Sequence, residues 1–295
     1  MGSSAEVDIR LPPARFSLQS GAMSSAVTTL GLIAGNRSLP LVFARKARLA
    51  GVQRLVAVAF EGETDPALAG LVDEIVWLRV GQLGRLLDAF TRRGITQCVM
   101  LGQINPSNLF DLRPDLRTVA LLLRLKEKNA RTIFGAIADE LARAGVELVP
   151  ATPWLQALMP AAGFRLGPSL SADQQEDIAF GWRIAKEVSR LEIGQTVVVK
   201  HGTVLAVEGF EGTDRCLARG GELAGPKGGA VAVKLAREGH DMRFDIPCVG
   251  RQTVENCAAA HLAVLAFEGQ KTLLLDQDYL PALAKAAPIT LVAVE

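Results

Sequence analysis

The feature that most constrains this chain is an alternation between residues 30 and 101. Short, continuously apolar runs are each followed by a turn and, in most cases, by a segment of helical length and amphipathic spacing. The apolar runs fall at 30–34, 54–60, 74–78 and 97–101, and the helical segments at 40–50 and 83–93 stop at Gly51 and Gly94. A strand that is apolar throughout, rather than on alternate residues, is buried on both faces. Strands separated by helices pair in parallel, because the helix returns the chain to the same edge. Helices at 116–125 and 132–144 and a short strand at 146–149 continue the series. The expectation is an α/β fold that opens with a Rossmann-like parallel-sheet domain over residues 24–150.

The pattern changes after that point. Residues 151–171 are rich in Pro and Gly and read as a linker. Ser171 and Gln174 are spaced as a capping box at the start of a helix that runs to about residue 191. Apolar runs at 196–200 and 204–207 flank His201-Gly202 and predict a β-hairpin. A helix from 213 to about 220 follows. Strands are expected at 229–235, 242–246, 272–275 and 290–294, and helices at 253–267 and 279–286. Residues 172–295 therefore read as a mixed α+β C-terminal domain, the expected catalytic unit. Residues 1–23 carry neither pattern and read as a leader or tag outside the fold.

Composition narrows the function. The formal net charge is +1 and aromatic residues make up 5% of the chain, which leaves neither a basic footprint nor stacking platforms for nucleic acid. The four cysteines are scattered without a C-x-x-C pair, so structural zinc is not expected and a reducing cytosol fits. No apolar run reaches the roughly 18 residues of a membrane span.

Five constellations could carry chemistry. In Gly31-Leu32-Ile33-Ala34-Gly35-Asn36, a strand ends in Gly at a helix start, where Gly35 and Asn36 could offer amides to an anion; a tight turn needing Gly only for its geometry is the other reading. Gln103 and Asn105 follow the strand at 97–101 and could hydrogen-bond a sugar or base. Gly212, Thr213 and Asp214 open the helix at 213. There, carboxylates beside an anion seat would repel the ligand unless a divalent cation intervenes. Lys234 ends an apolar strand and suits phosphate. Lastly, if residues 241–246 are extended, Asp241, Arg243 and Asp245 share one face and Met242, Phe244 and Ile246 the other. Such carboxylates suit Mg²⁺. On residues alone, a non-catalytic nucleotide-sugar or lipid-binding regulator remains the alternative, and an NAD oxidoreductase lacks its fingerprint.

Three blocks go further: LGLIAGN-x-x-LP at 30–40, TVVVKHGTVLAVEGFEGTD at 196–214 and DMRFDIPCVGRQTVENC at 241–257. They resemble the signature blocks of the bacterial UDP-2,3-diacylglucosamine pyrophosphatases of lipid A biosynthesis, the metal-dependent family distinct from the calcineurin-like enzyme of the same step. The resemblance implies hydrolysis of UDP-2,3-diacylglucosamine to UMP and 2,3-diacylglucosamine 1-phosphate (lipid X), with Mg²⁺ as cofactor. It implies two domains with the ligand between them, a homodimer, and a cytoplasmic protein with peripheral contact at the inner face of the inner membrane. It places the essential Asp on Asp245, as a catalytic residue and metal ligand assisted by Asp241 and Arg243, and carries Thr213 and Asp214 over to phosphate or metal binding. The chain has Glu238-Gly239-His240 ahead of Asp241, where family members carry Pro-x-Gln.

Overall fold

The computed structural model describes residues 27–104, 114–127, 129–236 and 241–295. Its first half runs β1 (Thr29–Ala34), α1 (Leu39–Leu49), β2 (Arg54–Phe60), β3 (Glu74–Leu78), α2 (Leu83–Thr91), β4 (Gln97–Leu101), α3 (Leu116–Arg124), α4 (Ala130–Arg143) and β5 (Glu147–Leu148). The five strands form one parallel sheet in the order β3-β2-β1-β4-β5. Alternation along each strand divides the core in two. Leu30, Leu32, Leu55, Ala57, Val99 and Leu101 pack on the face covered by α1, whereas Ile33, Val56, Val58, Cys98 and Met100 pack on the face covered by α2 and α4. The order of strands reverses between β1 and β4, and such a reversal leaves a crevice at the carboxyl ends of the strands.

The connecting stretch is built into the fold. It holds α5 (Thr152–Leu155), a 3-10 turn that buries Leu158, and β6 (Arg165–Leu166). The second half continues with α6 (Ala172–Arg190), β7 (Thr196–Lys200), β8 (Thr203–Val207), α7 (Thr213–Leu223), β9 (Val231–Lys234), β10 (Cys248–Val249), α8 (Arg251–Ala259), β11 (Val264–Glu268), β12 (Leu273–Leu274), α9 (Leu280–Ala286) and β13 (Thr290–Val294). Six strands form a mixed sheet in the order β6-β13-β11-β9-β7-β8, and β10 pairs with β12 in a small parallel ribbon. The capping box at Ser171 and Gln174 is present. In the β7–β8 hairpin both His201 (φ 48°) and Gly202 (φ 69°) are left-handed, as a two-residue hairpin turn requires.

Two sequence expectations fail here. Residues 253–267 are not one helix: α8 stops at Ala259, His261 turns the chain at φ 53°, and β11 follows as an inner strand between β9 and β13. His261 is therefore exposed in a turn rather than buried in a helix. Nor are residues 242–246 a strand. Phe244 N and Asp245 N both donate to Asp241 O, at 3.1 and 3.0 Å, which closes a turn. The Asp241 carboxylate accepts from Arg243 N at 3.1 Å, a local bond that competes with extended pairing.

The two halves meet through this turn and the ribbon. Phe244 packs on Phe134 of α4 with ring centroids 5.6 Å apart, and Leu273 and Leu275 join the core beneath α1. Arg131 pairs with Glu192 across the junction at 2.9 Å.

Candidate active site

A cleft of about 850 Å³ lies at this junction. Its walls come from the β1–α1 turn, the end of β4, the β8–α7 turn, the end of β9, the 244–248 segment and the start of α8. The starts of three helices therefore border one space: Ser38-Leu39 for α1, Gly212 to Asp214 for α7 and Gly250 to Thr253 for α8. None of the three has a side-chain cap. Uncapped amides and the positive end of each helix dipole favour an anion there.

The β8–α7 turn is held closely. Gly220 of α7 sits so near β7 that a Cβ at that position would lie 2.5 Å from Val198 Cβ, which sets the helix against the sheet and its start over the cleft. Glu208, the first residue past β8, donates its amide to Thr196 O at 2.8 Å and extends the hairpin by one step. On the other side of Thr196, β9 places Lys234 in register. Glu208, Thr196 and Lys234 thus form a row across three neighbouring strands. The Thr213 hydroxyl donates to Glu208 Oε1 at 3.1 Å. Glu208 is only 6% exposed, and its Oε2 has no hydrogen-bond partner; Gln195 Oε1, in the same wall, is also buried without one. Lys234 is 7% exposed, and its Nζ donates to Cys248 O at 3.1 Å.

The charges lining the cleft are unbalanced. Arg37, Lys234 and Arg251 are three cations, against the five carboxylates of Glu208, Glu211, Asp214, Asp245 and Asp276. Glu211 is neutralised locally: bonds from the backbone about it, then Arg219 at 2.5 Å, hold its carboxyl below the usual range. Asp214 makes no hydrogen bond or ion pair among the described residues. Among those residues, no group of three or more His, Cys, Asp or Glu is arranged to hold a metal by itself. A cation here would take one or two carboxylates and leave its other positions to substrate and water, which is the usual habit of Mg²⁺. The buried, unpartnered oxygens of Glu208 and Gln195 are hard donors of the kind that ion accepts. Cys248 also borders the cleft, but burial pushes its thiol up to about 11, so it is not a ready nucleophile.

The structure brings together Gln103, Gly212, Thr213, Asp214, Lys234 and Asp245, all of which line the cleft. Asp241 and Arg243 do not line it. They pair with each other, with Arg243 Nη2 at 2.6 Å and Nε at 2.9 Å from the carboxylate oxygens, so the shared loaded face of a strand does not exist. That guanidinium, aided by the Arg243 amide, outweighs desolvation and holds the Asp241 carboxyl below its usual range. Gly35 and Asn36 are corrected as well. Their amides donate to Leu101 O at 2.8 Å and Gln103 O at 2.7 Å, and neither residue lines the cleft. A Cβ on Gly35 would lie 2.4 Å from Gln103 O, so this glycine answers to the close approach of β1 and β4. Asn105 lies outside the described residues. The sequence reading missed Arg37, Gln195, Glu208 and the start of α8. Glu208 had a signal: it follows an apolar strand directly and precedes the Gly of the next turn.

Comparison with known proteins bears on both halves. Residues 29–158 match the LpxI N-terminal domain, and residues 161–292 match the LpxI C-terminal domain. The chain is 29% identical over 265 residues to the UDP-2,3-diacylglucosamine pyrophosphatase LpxI of Caulobacter vibrioides, covering 86% of this chain and 93% of that protein. Among solved structures, the biotin carboxylase subunit of pyruvate carboxylase overlaps 58% of this chain and 34% of its own at 16% identity, with a TM-score of 0.26. That overlap spans about a third of the other chain and carries no inference. With both of its halves matched in order, the chain belongs to the LpxI family.

Proposed function

We propose that the protein hydrolyses the pyrophosphate of UDP-2,3-diacylglucosamine, releasing UMP and 2,3-diacylglucosamine 1-phosphate, lipid X. The observation that carries this reading is the cleft: three helix starts suited to phosphate face a surplus of carboxylates, one of which keeps a buried oxygen without a partner. In a phosphate site, that combination calls for a divalent cation. Mg²⁺ is the proposed cofactor, and it would be held by one or two of the cleft carboxylates Asp245, Asp214 and Glu208, not by all three together. The chemistry such an ion supplies when bound is neutralisation and polarisation of phosphoryl oxygens.

The chain's own groups supply the rest. Lys234 and Arg37 meet the phosphate charge as point charge and fork respectively. Thr213 and the amides that open α7 orient one phosphoryl group. Asp245 lies at the open side of the cleft, where it can accept a proton from the attacking water. Asp241 and Arg243 act through the turn that presents Asp245, as positioning residues. For the acyl chains, α3 offers Leu116 and Leu123, 90% and 77% exposed, whereas Leu155 and Leu158 are buried in the core beneath α1. An apolar helix face of this kind suits peripheral contact with a membrane. No helix of the described residues is long and apolar enough to cross one.

The test is product analysis with purified UDP-2,3-diacylglucosamine in H₂¹⁸O, with Mg²⁺ and with EDTA. Release of UMP and lipid X with one ¹⁸O incorporated, abolished by EDTA and restored by Mg²⁺, is expected. Tight substrate binding without UMP at any metal concentration would overturn the hydrolase reading, and turnover indifferent to chelation would remove the metal from it.

A further inference from the structure

A surface helix is normally apolar toward the core and polar toward solvent. Helix α3 departs from that pattern. Its inner side is accounted for: Leu121, Leu122 and Leu125 join the core that holds Phe134 and Phe244, and Phe244 lines the cleft. Its outer side is apolar as well. Leu116, Val119 and Leu123 are 90%, 39% and 77% exposed, and their spacing of three and then four residues puts them on one side of the helix, with exposed Ala120 beside them. No other described helix carries more than one exposed large apolar side chain.

We infer that this outer side of α3 is a membrane-docking surface, which lies flat on an anionic bilayer with its leucines among the acyl chains and Arg117, Arg124 and Lys126 on the headgroups. The inference deepens the peripheral contact proposed above and rests on it, but it does not depend on the reaction.

Charge selects the occupant. Arg117 and Arg124 stand two turns apart along the edge of the apolar side, and Lys126 follows the helix. None of the three has a hydrogen bond or ion pair among the described residues. No acid stands between 116 and 126. Asp115, just before, is occupied: its carboxylate accepts from Thr118 N at 2.9 Å and from Gly84 N at 2.7 Å, which fixes the start of α3 to α2. The solvent sides of α6 and α7, by contrast, mix acids with bases, as in Asp173, Glu176 and Arg183, or Asp214, Arg215 and Glu222. Exposed leucines bordered by unpaired cations are the pattern of a helix that lies in a membrane interface, where each cation is drawn to anionic headgroups.

A second copy of the chain fits less well. In a two-fold contact the same patch faces itself, so three cations would meet three cations. One side of a nine-residue helix also falls far short of the roughly 800 Å² per partner of a stable dimer. Phe210, fully exposed in the β8–α7 turn, is the rival anchor, but it stands alone, with Glu208 and Glu211 to either side of it in the chain.

The experiment is co-sedimentation of the full chain with vesicles of phosphatidylcholine alone and of phosphatidylcholine mixed three to one with phosphatidylglycerol, without substrate or metal. The wild type should bind the anionic vesicles more tightly, and added salt should remove the difference. Arg117→Gln/Arg124→Gln/Lys126→Gln should lower binding to the anionic vesicles about 100-fold, roughly 5-fold for each cation, and leave binding to the neutral ones unchanged. Leu116→Gln/Leu123→Gln should lower binding to both kinds at least about 10-fold. Both variants alter only exposed side chains, so an unchanged thermal midpoint shows them folded. Vesicle binding that survives in both variants, or that is lost only in Phe210→Ser, would overturn the assignment to α3 and leave the peripheral contact standing. A wild type that stays in the supernatant with both kinds of vesicle would overturn the contact itself. A concentration-dependent dimer that the leucine variant dissociates would put a second copy in place of the bilayer. UMP release from detergent-dispersed substrate tests the hydrolase separately, and none of these outcomes touches it.

Discussion

The β1–α1 turn and the β8–α7 turn look alike in sequence: an apolar strand, a glycine, then a helix. Both border the cleft, but in the structure their glycines do opposite things. At the first, Gly35 and Asn36 turn their amides inward onto Leu101 and Gln103, and the glycine exists because β4 comes too close for a side chain. At the second, Gly212 is left-handed (φ 83°) with open space about it, the Thr213 hydroxyl reaches back to Glu208, and one Glu208 oxygen remains unpartnered. A glycine before a helix therefore marks close packing in one case and an open ligand seat in the other. The direction of the amides and the space about the glycine tell them apart, since each turn carries a buried side-chain oxygen without a partner, Asn36 Oδ1 at the first and Glu208 Oε2 at the second, and of these two residues only Glu208 lines the cleft.

The largest expected effects fall on the open turn and its neighbours. Asp245→Ala should lower kcat on the order of 10³-fold or more, about 4 kcal/mol, with the thermal midpoint unchanged, as befits an exposed side chain. A variant at near wild-type rate would remove Asp245 from the chemistry. Glu208→Gln keeps the shape and the bond to Thr213 but withdraws the charge. Its affinity for Mn²⁺, followed by electron paramagnetic resonance without substrate, should fall roughly 10- to 100-fold. Unchanged Mn²⁺ affinity would show that the orphan oxygen serves something other than a cation.

These contrasts also explain what could be read from the chain alone. The strands of the first sheet were legible because continuous apolar runs bounded by Gly admit little else; 54–60, 74–78 and 97–101 match β2, β3 and β4 residue for residue. β11 was not, because Val264 to Phe267 continues an alanine-rich helix without a change of period, and the break is a left-handed histidine rather than a glycine. The 241–246 strand was misread because charged and apolar residues alternate in a turn as readily as in a strand. Thr213, Asp214 and Lys234 could be found as polar groups at element ends, whereas Asp245 was singled out by the alternation at 241–246 and by the family resemblance. Glu208 also stands at an element end, directly past β8, but its burial and its unmet hydrogen bond are features that only packing reveals.

At the closed turn, effects should appear in stability. Gly35→Ala forces a methyl to within 2.4 Å of Gln103 O, so β1 and β4 must separate. A loss of about 1–3 kcal/mol in urea unfolding is expected. Gly212→Ala meets no atom within 4 Å and bears only the left-handed backbone penalty, about 1 kcal/mol. Should the two variants be equally destabilised, the distinction between packed and open turns would fail.

The smallest effect belongs to the 241–245 turn, which neither packs like the first turn nor opens like the second. Asp241 has a folded-state carboxyl held below the usual range by Arg243, so its ionised form is favoured by folding. For a depressed carboxylate, the stabilisation is fully present above the unfolded pKa and disappears as pH falls through the lower folded value. The window therefore lies below about pH 4. The pair is substantially solvent-exposed, with side chains 40% and 28% accessible, so screening keeps its contribution below about 1 kcal/mol. Asp241→Asn should thus cost a few tenths of a kcal/mol at pH 7, and the difference from wild type should shrink toward zero as the pH is lowered through that window. A deficit that persisted unchanged in acid would mean that the side chain's hydrogen-bonded shape, not its charge, secures the turn presenting Asp245.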